Sequence, residues 1–106
     1  MTTWARHKEE QRLHGEAARA YDLERQRMGV GYLILQARSE AGLSQGALAE
    51  RIGTSQPTIA RWESGAQLPS VRSLLRVADA TGFELIVGLR DDRRRQRVVE
   101  LGSDAG

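Results

Sequence analysis

Residues 44–65 read SQGALAERIGTSQPTIARWESG, and the spacing of small, polar and apolar residues in this stretch decides the fold. Ser44 is a helix N-cap candidate ahead of a short helix over 45–52. Gly53 follows at a position suited to positive φ. Ser55 caps the next helix, from 56 to about 64, and Pro57 lies in its first turn, where a missing N–H does no harm. Gly65 is the stop. Leu48, Ile52, Ile59 and Trp62 then point into one shared core, and Ala49 is small enough to let the two helices approach. The pattern predicts two short helices locked across a tight turn, with the N-terminal turn of the second held outward.

Outside this pair the texture changes on both sides. Upstream, Val30, Leu33, Ile34, Ala37 and Ala41 place an apolar face on a helix that Gly42 ends. Downstream, Pro69 and Ser70 open another helix carrying Val71, Leu74, Leu75, Val77 and Ala78, with Gly82 as its stop. Residues 83–89, Phe-Glu-Leu-Ile-Val-Gly-Leu, are apolar and partly β-branched, and predict one short strand. A lone strand is not stable, so its copy in a second subunit is the candidate partner. From residue 90 to 106 the chain is charged and then small, which predicts a mobile tail. Residues 1–28 predict a helical arm. Leu13, Ala17, Ala20 and Leu23 form a thin stripe beside Tyr21 and Met28, Glu24 interrupts it, and Gly15 weakens the helix by about 1 kcal/mol relative to Ala. The expected fold class is all-α: an arm (1–28), a helical domain (29–82), a short strand (83–89) and a tail (90–106).

Composition sets bounds. The chain has 106 residues, 40% of them hydrophobic, and no cysteine, which removes disulfides, thiolate metal sites and cysteine nucleophiles. No run approaches the roughly 20 apolar residues of a membrane span, and no secretory h-region follows the first residues; a soluble cytoplasmic protein is expected. The net charge is +2 while the pI is about 9.7, because every basic residue except Lys8 is arginine. A net charge this small does not by itself imply nucleic acid, so the distribution must.

The outward side chains supply that distribution. Gln45 lies where the first helix of the pair would cross a backbone, and Ser55, Gln56, Pro57, Thr58 and Arg61 lie on the exposed face of the second. A helix fits the DNA major groove, where Gln pairs with adenine and Arg with guanine, each good pair discriminating by roughly 1–3 kcal/mol. Pro57 or Thr58 suits a thymine methyl. Ser44, Ser55 and the N–H groups at the helix starts suit phosphates.

The stretch resembles the Xre-type, lambda-repressor-like helix-turn-helix family. The matching features are Ala-Gly-Leu-Ser-Gln (41–45), Leu-Ala-Glu-Arg-Ile-Gly (48–53), Thr-Ser-Gln-Pro-Thr-Ile (54–59) and Arg-Trp-Glu-Ser-Gly (61–65). The resemblance covers about residues 30–82. It implies a sequence-specific, DNA-binding transcriptional repressor and an Arg38–Glu63 salt bridge beneath the DNA-facing surface. By position it implies Gln56, Pro57 and Arg61 as base readers. Ser44, Gln45, Ser55 and Thr58 fall at the DNA backbone, and Arg38, Ala49, Gly53, Ile59, Trp62 and Glu63 support the motif. Pro57 departs from the pattern, since many relatives carry a polar base reader there; readout then leans on Gln56 and Arg61 or on a methyl contact.

The flanks resemble HigA-type antitoxins of type II toxin–antitoxin modules, through Tyr-Asp-Leu-Glu (21–24) and Thr-Gly-Phe-Glu-Leu (81–85). That resemblance implies a homodimer on an inverted-repeat operator, repressing its own operon, and a RelE/HigB-like toxin partner. The arm, with Leu13, Ala17, Tyr21 and Leu23, is the natural toxin contact. A stand-alone Xre-type regulator, or a protein-interaction adaptor that has lost DNA, are the competing readings.

Plainer roles stand beside several of these. Tyr21 and Leu23 serve equally to fold back on the following helix. Trp62 lies on the inner side of its helix and reads as core, not as a base platform. Arg93, Arg94 and Arg95 either track phosphates or form a solvated tail, with Asp91 and Asp92 partly neutralising them. His7 and His14 share a helix face with only Glu10 near, which reads as two exposed histidines; no metal site, cofactor or membrane partner is expected. Nothing sets Ser, His or Asp in a nucleophile motif and the glycines form no phosphate loop, so no enzyme is expected.

Overall fold

The computed structural model describes residues 2–103, and within them the side chains of all but residues 2–4, 9–11, 13, 14 and 17. Four helices lead into a β-hairpin: α1 (Thr2–Glu40), α2 (Gln45–Ile52), α3 (Gln56–Ser64), α4 (Val71–Thr81), β1 (Leu85–Arg90) and β2 (Gln96–Gly102). The three short helices begin at serine caps. Ser44, Ser55 and Ser70 each have extended backbone and accept from the N–H three residues on, at Ala47, Thr58 and Ser73. Each such cap satisfies one orphan donor of a helix start and contributes about 1 kcal/mol. Gly53 makes the α2–α3 turn with φ 74°, and its N–H closes back on the carbonyls of α2.

The core lies where α1, α2, α3 and α4 meet. Ile34, Leu48 and Ile59 are fully buried, and Ala49, Ile52, Trp62 and Val77 complete the cluster. Val30, Leu43, Leu74 and Ala80 pack against it. Burying one large aliphatic side chain contributes roughly 1.5–3 kcal/mol, so this small set fixes how α3 is held. The Trp62 indole N–H is buried without a hydrogen-bond partner among the described residues. Trp62 therefore serves as apolar bulk.

Two expectations need correction. The arm and the first core helix are not separate: α1 runs unbroken for 39 residues. At 1.5 Å per residue such a helix is about 58 Å long, and it sets the 59 Å long axis of the molecule. Residues 27–29 contain no proline, and Gly29 does not take the positive φ of the glycines that stop the helices; the Ala-, Arg- and Glu-rich sequence before it favours helix, so the chain continues through it. The bundle has four helices rather than five. Along the part of α1 before the core, local pairs such as Arg12–Glu16 at 2.9 Å and Arg25 over the Tyr21 ring are made within the helix itself.

The second correction concerns the C-terminal end. The predicted lone strand is half of an antiparallel hairpin, with Ile86 opposite Glu100, Val87 opposite Val99 and Leu89 opposite Arg97. The expected mobile tail supplies its second strand. Asp91 makes the turn: its Oδ1 accepts from the N–H groups of Arg93 (2.9 Å) and Arg95 (2.8 Å), and its Oδ2 from Arg95 Nε (2.7 Å). The hydrogen bond from the Arg95 backbone, opposed by desolvation and aided by those from the Arg95 side chain and the Arg93 backbone, holds this carboxyl below its ordinary pKa. Arg94 takes the left-handed conformation at φ 67°. The hairpin rests on α4.

Candidate nucleic-acid interface

α2 and α3 set the candidate site, and α1 buttresses it from beneath. Arg38, on α1, reaches Glu63 near the end of α3 with a two-pronged ion pair, Nε to Oε2 at 2.6 Å and Nη2 to Oε1 at 2.9 Å. Its third donor, Nη1, is given to the Leu43 carbonyl at 3.0 Å. The Glu63 side chain is only 4% exposed and that of Arg38 17%. Burial alone would push the Glu63 carboxyl up. Hydrogen bonds from Arg38 and Gln45 and the charge of Arg38 outweigh it, and the carboxyl sits below its ordinary value. The hydrogen bond to Glu63 raises Arg38, against desolvation and with help from the Glu63 charge.

From this pair a chain of contacts runs to the surface. Gln45 Nε2 donates to Glu63 Oε1 at 3.1 Å, and Gln45 Oε1 accepts from Gln56 Nε2 at 2.7 Å. Both ends of the Gln45 amide are therefore engaged within the protein, and they link Glu63 to Gln56. Charge-assisted, bidentate pairing at the buried end makes this a rigid support. The carbonyl of the exposed Gln56 carries no hydrogen bond among the described residues. Arg61 lies one turn further along α3, exposed, with Nη2 on Thr58 Oγ1 at 3.1 Å and Nε on Gln67 Oε1 at 3.3 Å. Thr58 Oγ1 is in turn 2.8 Å from Ser55 Oγ. Pro57 is exposed in the first turn of α3. Gln56, Pro57 and Arg61 thus share an outward surface, flanked by the capped starts of both helices, Ser44 and Ser55.

Gln67 and Gly31 were not singled out by sequence reasoning. Gln67 lies past the helix stop in a stretch without periodicity. Gly31 did carry a signal, since a glycine inside a helix marks a close approach. It is buried, and a Cβ placed on it would lie 2.4 Å from the Trp62 carbonyl oxygen and 2.7 Å from that of Glu63. The backbone of α1 therefore lies directly against the C-terminal end of α3.

Of the proposed arm contacts, Tyr21 and Leu23 are exposed at 63% and 43%. The side chains of Leu13 and Ala17 lie outside the described residues, as do those of Trp4 and His14. Among the described residues no group of three or more His, Cys, Asp or Glu side chains is placed to hold a metal, and no helix is long and apolar enough to cross a membrane.

The depressed Glu63 carboxyl makes stability depend on pH with a definite sign. A carboxyl whose folded pKa lies below its unfolded value contributes fully above the unfolded value, about 4.3, and that contribution is lost as pH falls through the folded one. Comparing melting temperatures of the wild type and Glu63→Gln from pH 7 to pH 3 isolates this group. The difference between them is expected to hold down to about pH 5 and to shrink below about pH 4. A difference unchanged to pH 3 would contradict the assignment.

Comparison with known proteins agrees with this geometry. Residues 34–86 match the family described as Helix-turn-helix. An uncharacterized HTH-type transcriptional regulator of Methanothermobacter thermautotrophicus is 44% identical over 54 residues, 51% of this chain and 78% of that protein.

Proposed function

Since this chain belongs to the helix-turn-helix family of DNA-binding transcription regulators, we propose that it is a sequence-specific repressor that binds an inverted-repeat operator as a homodimer. The observation that carries this reading is the outward pair Gln56 and Arg61 on a helix whose inner end is fixed by the Arg38–Glu63–Gln45 contacts. Gln56, Pro57 and Arg61 read base edges, and the starts of α2 and α3, with Ser44, Ser55 and Thr58, face phosphates. Two such helices in a dimer sit about one DNA turn apart, roughly 34–36 Å, and repression is steric: the bound dimer blocks a promoter.

Arg61→Ala tests the readout. The variant is expected to lose discrimination at one base pair per half-site, about 1–3 kcal/mol there, while binding of other sequences changes little. A selection from random duplexes that returns the wild-type preference from the variant would refute the assignment.

The reading extends to a protein partner. The part of α1 that carries the exposed Tyr21 and Leu23 lies outside residues 34–86 that match the family. On this reading it is the surface that holds a RelE/HigB-like toxin, and the chain is the antitoxin of a type II module. Co-expression with the adjacent small open reading frame tests this. Co-purification with relief of growth arrest supports it, and their absence leaves a stand-alone regulator.

A further inference from the structure

A two-stranded hairpin is marginal in water, and a third strand or a packed layer is needed for stability. In this hairpin Ile86, Leu89, Val98 and Val99 are each more than half exposed. Its two edges differ in chemistry. β2 carries Gln96, Arg97 and Glu100, polar residues of the kind that discourage further pairing. β1 carries no charge from Leu85 to Leu89. Among the described residues β1 pairs only with β2, so its other edge is open. Leu85, Ile86 and Val87, successive residues from both faces of β1, and Phe83 and Glu84 just before it border an apolar groove of about 590 Å³ whose other walls include Leu33 on α1 and Leu74 and Val77 on α4. The groove therefore opens along the strand, not under one of its faces.

The open edge is complementary to itself. Set β1 antiparallel to a second β1 about a two-fold axis through Val87. Val87 then meets its own copy, Leu85 meets Leu89, Ile86 meets Gly88, and Glu84 meets Arg90 at both ends. Neighbouring registers lose this match. An axis through Gly88 puts Glu84 opposite Asp92, two like charges, and an axis through Ile86 puts Glu84 opposite Gly88 and Arg90 opposite Gly82. Directly opposed residues lie on the same face and interact most strongly, so one register is selected. Arg90 gives one nitrogen, Nη2, to Gln96, which leaves Nε and Nη1 for a Glu84 set opposite it.

We propose that a second copy of this chain pairs along the free edge of β1, antiparallel about Val87, to close a four-stranded sheet in the order β2–β1–β1–β2. This rests on the homodimer reading above and specifies its interface. The contact is isologous, as a two-fold dimer requires. The self-match of the edge, with an ion pair at each end, is what selects a second copy as occupant over an unrelated chain.

The absence of cysteine permits a clean test on the full chain. Opposed Cα atoms in an antiparallel pair are roughly 4.5–5.5 Å apart, within the disulfide range of about 4.4–6.8 Å. Val87→Cys is expected to cross-link to itself under mild oxidation. Leu89→Cys alone is not, because its copy lies about four residues along the strand, roughly 13 Å away; mixed with Leu85→Cys it is expected to give a cross-linked heterodimer. Independently, Arg90→Glu is expected to weaken the dimer about tenfold in sedimentation, and adding Glu84→Arg to restore it. The charge pair decides the matter should Val87→Cys fail to fold. A dimer that persists while Val87→Cys does not cross-link, or while Arg90→Glu has no effect, overturns this interface and leaves the homodimer reading standing. A chain that is monomeric at every concentration overturns both.

Discussion

Gly31→Ala is expected to lower the melting temperature by more than 10 °C, although alanine is the better helix former. Inside a helix the exchange should gain up to about 1 kcal/mol. Here the new Cβ would lie 2.4 Å and 2.7 Å from two carbonyl oxygens of α3. Those are backbone atoms, so no side chain can rotate away, and α1 must lift off α3. Overpacking typically costs about 1–3 kcal/mol, and two rigid backbone atoms place this case at about the upper end; in a domain of this size each kcal/mol is worth about 4–8 °C. The same displacement separates Arg38 from Glu63, so DNA affinity should fall with stability. Gly29→Ala is the control: a Cβ there meets nothing within 4 Å, and that variant should melt at or above the wild-type temperature. Equal melting of Gly31→Ala and Gly29→Ala in a thermal scan would show that α1 does not lie against α3 in this way.

Glu63→Ala is expected to cost about 2–3 kcal/mol, because it leaves Arg38 and Gln45 without their carboxylate in a part-buried position. Arg38 would keep only the Leu43 carbonyl. Removing both charges separates stability from function. Replacing a buried ion pair with apolar residues is often neutral or better, so Arg38→Met with Glu63→Leu should recover most of the lost stability. It should not recover DNA binding, because Gln45 then has no acceptor and no longer fixes Gln56. Chemical denaturation and operator titration on the two variants check this. Full operator affinity in the double variant would mean that the contacts from Glu63 to Gln56 do not matter for readout.

Much of the body was legible because its signals are local. A serine followed three residues later by an N–H it can cap, and a glycine at each helix stop, are chemistry within one turn. The residues expected in the core around α2 and α3, Leu48, Ile52, Ile59 and Trp62, are the buried ones. The Arg38–Glu63 pair spans 25 residues and was reached only through resemblance, since nothing in local sequence joins the two. The hairpin was missed because its turn is built from charge. Asp-Asp-Arg-Arg-Arg at 91–95 lacks the Asn-Gly or Asp-Gly signature of a tight turn, and the ordering element is one carboxylate accepting two N–H groups. The unbroken α1 is not legible because a change of texture near residue 28 looks like a boundary, whereas a helix ends only where its hydrogen bonds or φ angles are interrupted. The bridge from Gln45 to Gln56 depends on two side-chain rotamers meeting across a turn, and no spacing rule supplies that.

Whether α3, held from beneath by α1, reads DNA sequence for a two-fold dimer is decided by selecting bound duplexes from a random library with the wild-type chain. The expected result is enrichment of one inverted repeat, with half-site centres about 10–10.5 base pairs apart or a multiple of it and binding that weakens steeply as salt rises. Retention of duplexes with no enriched sequence, or no salt-dependent retention at all, would contradict that role for α3.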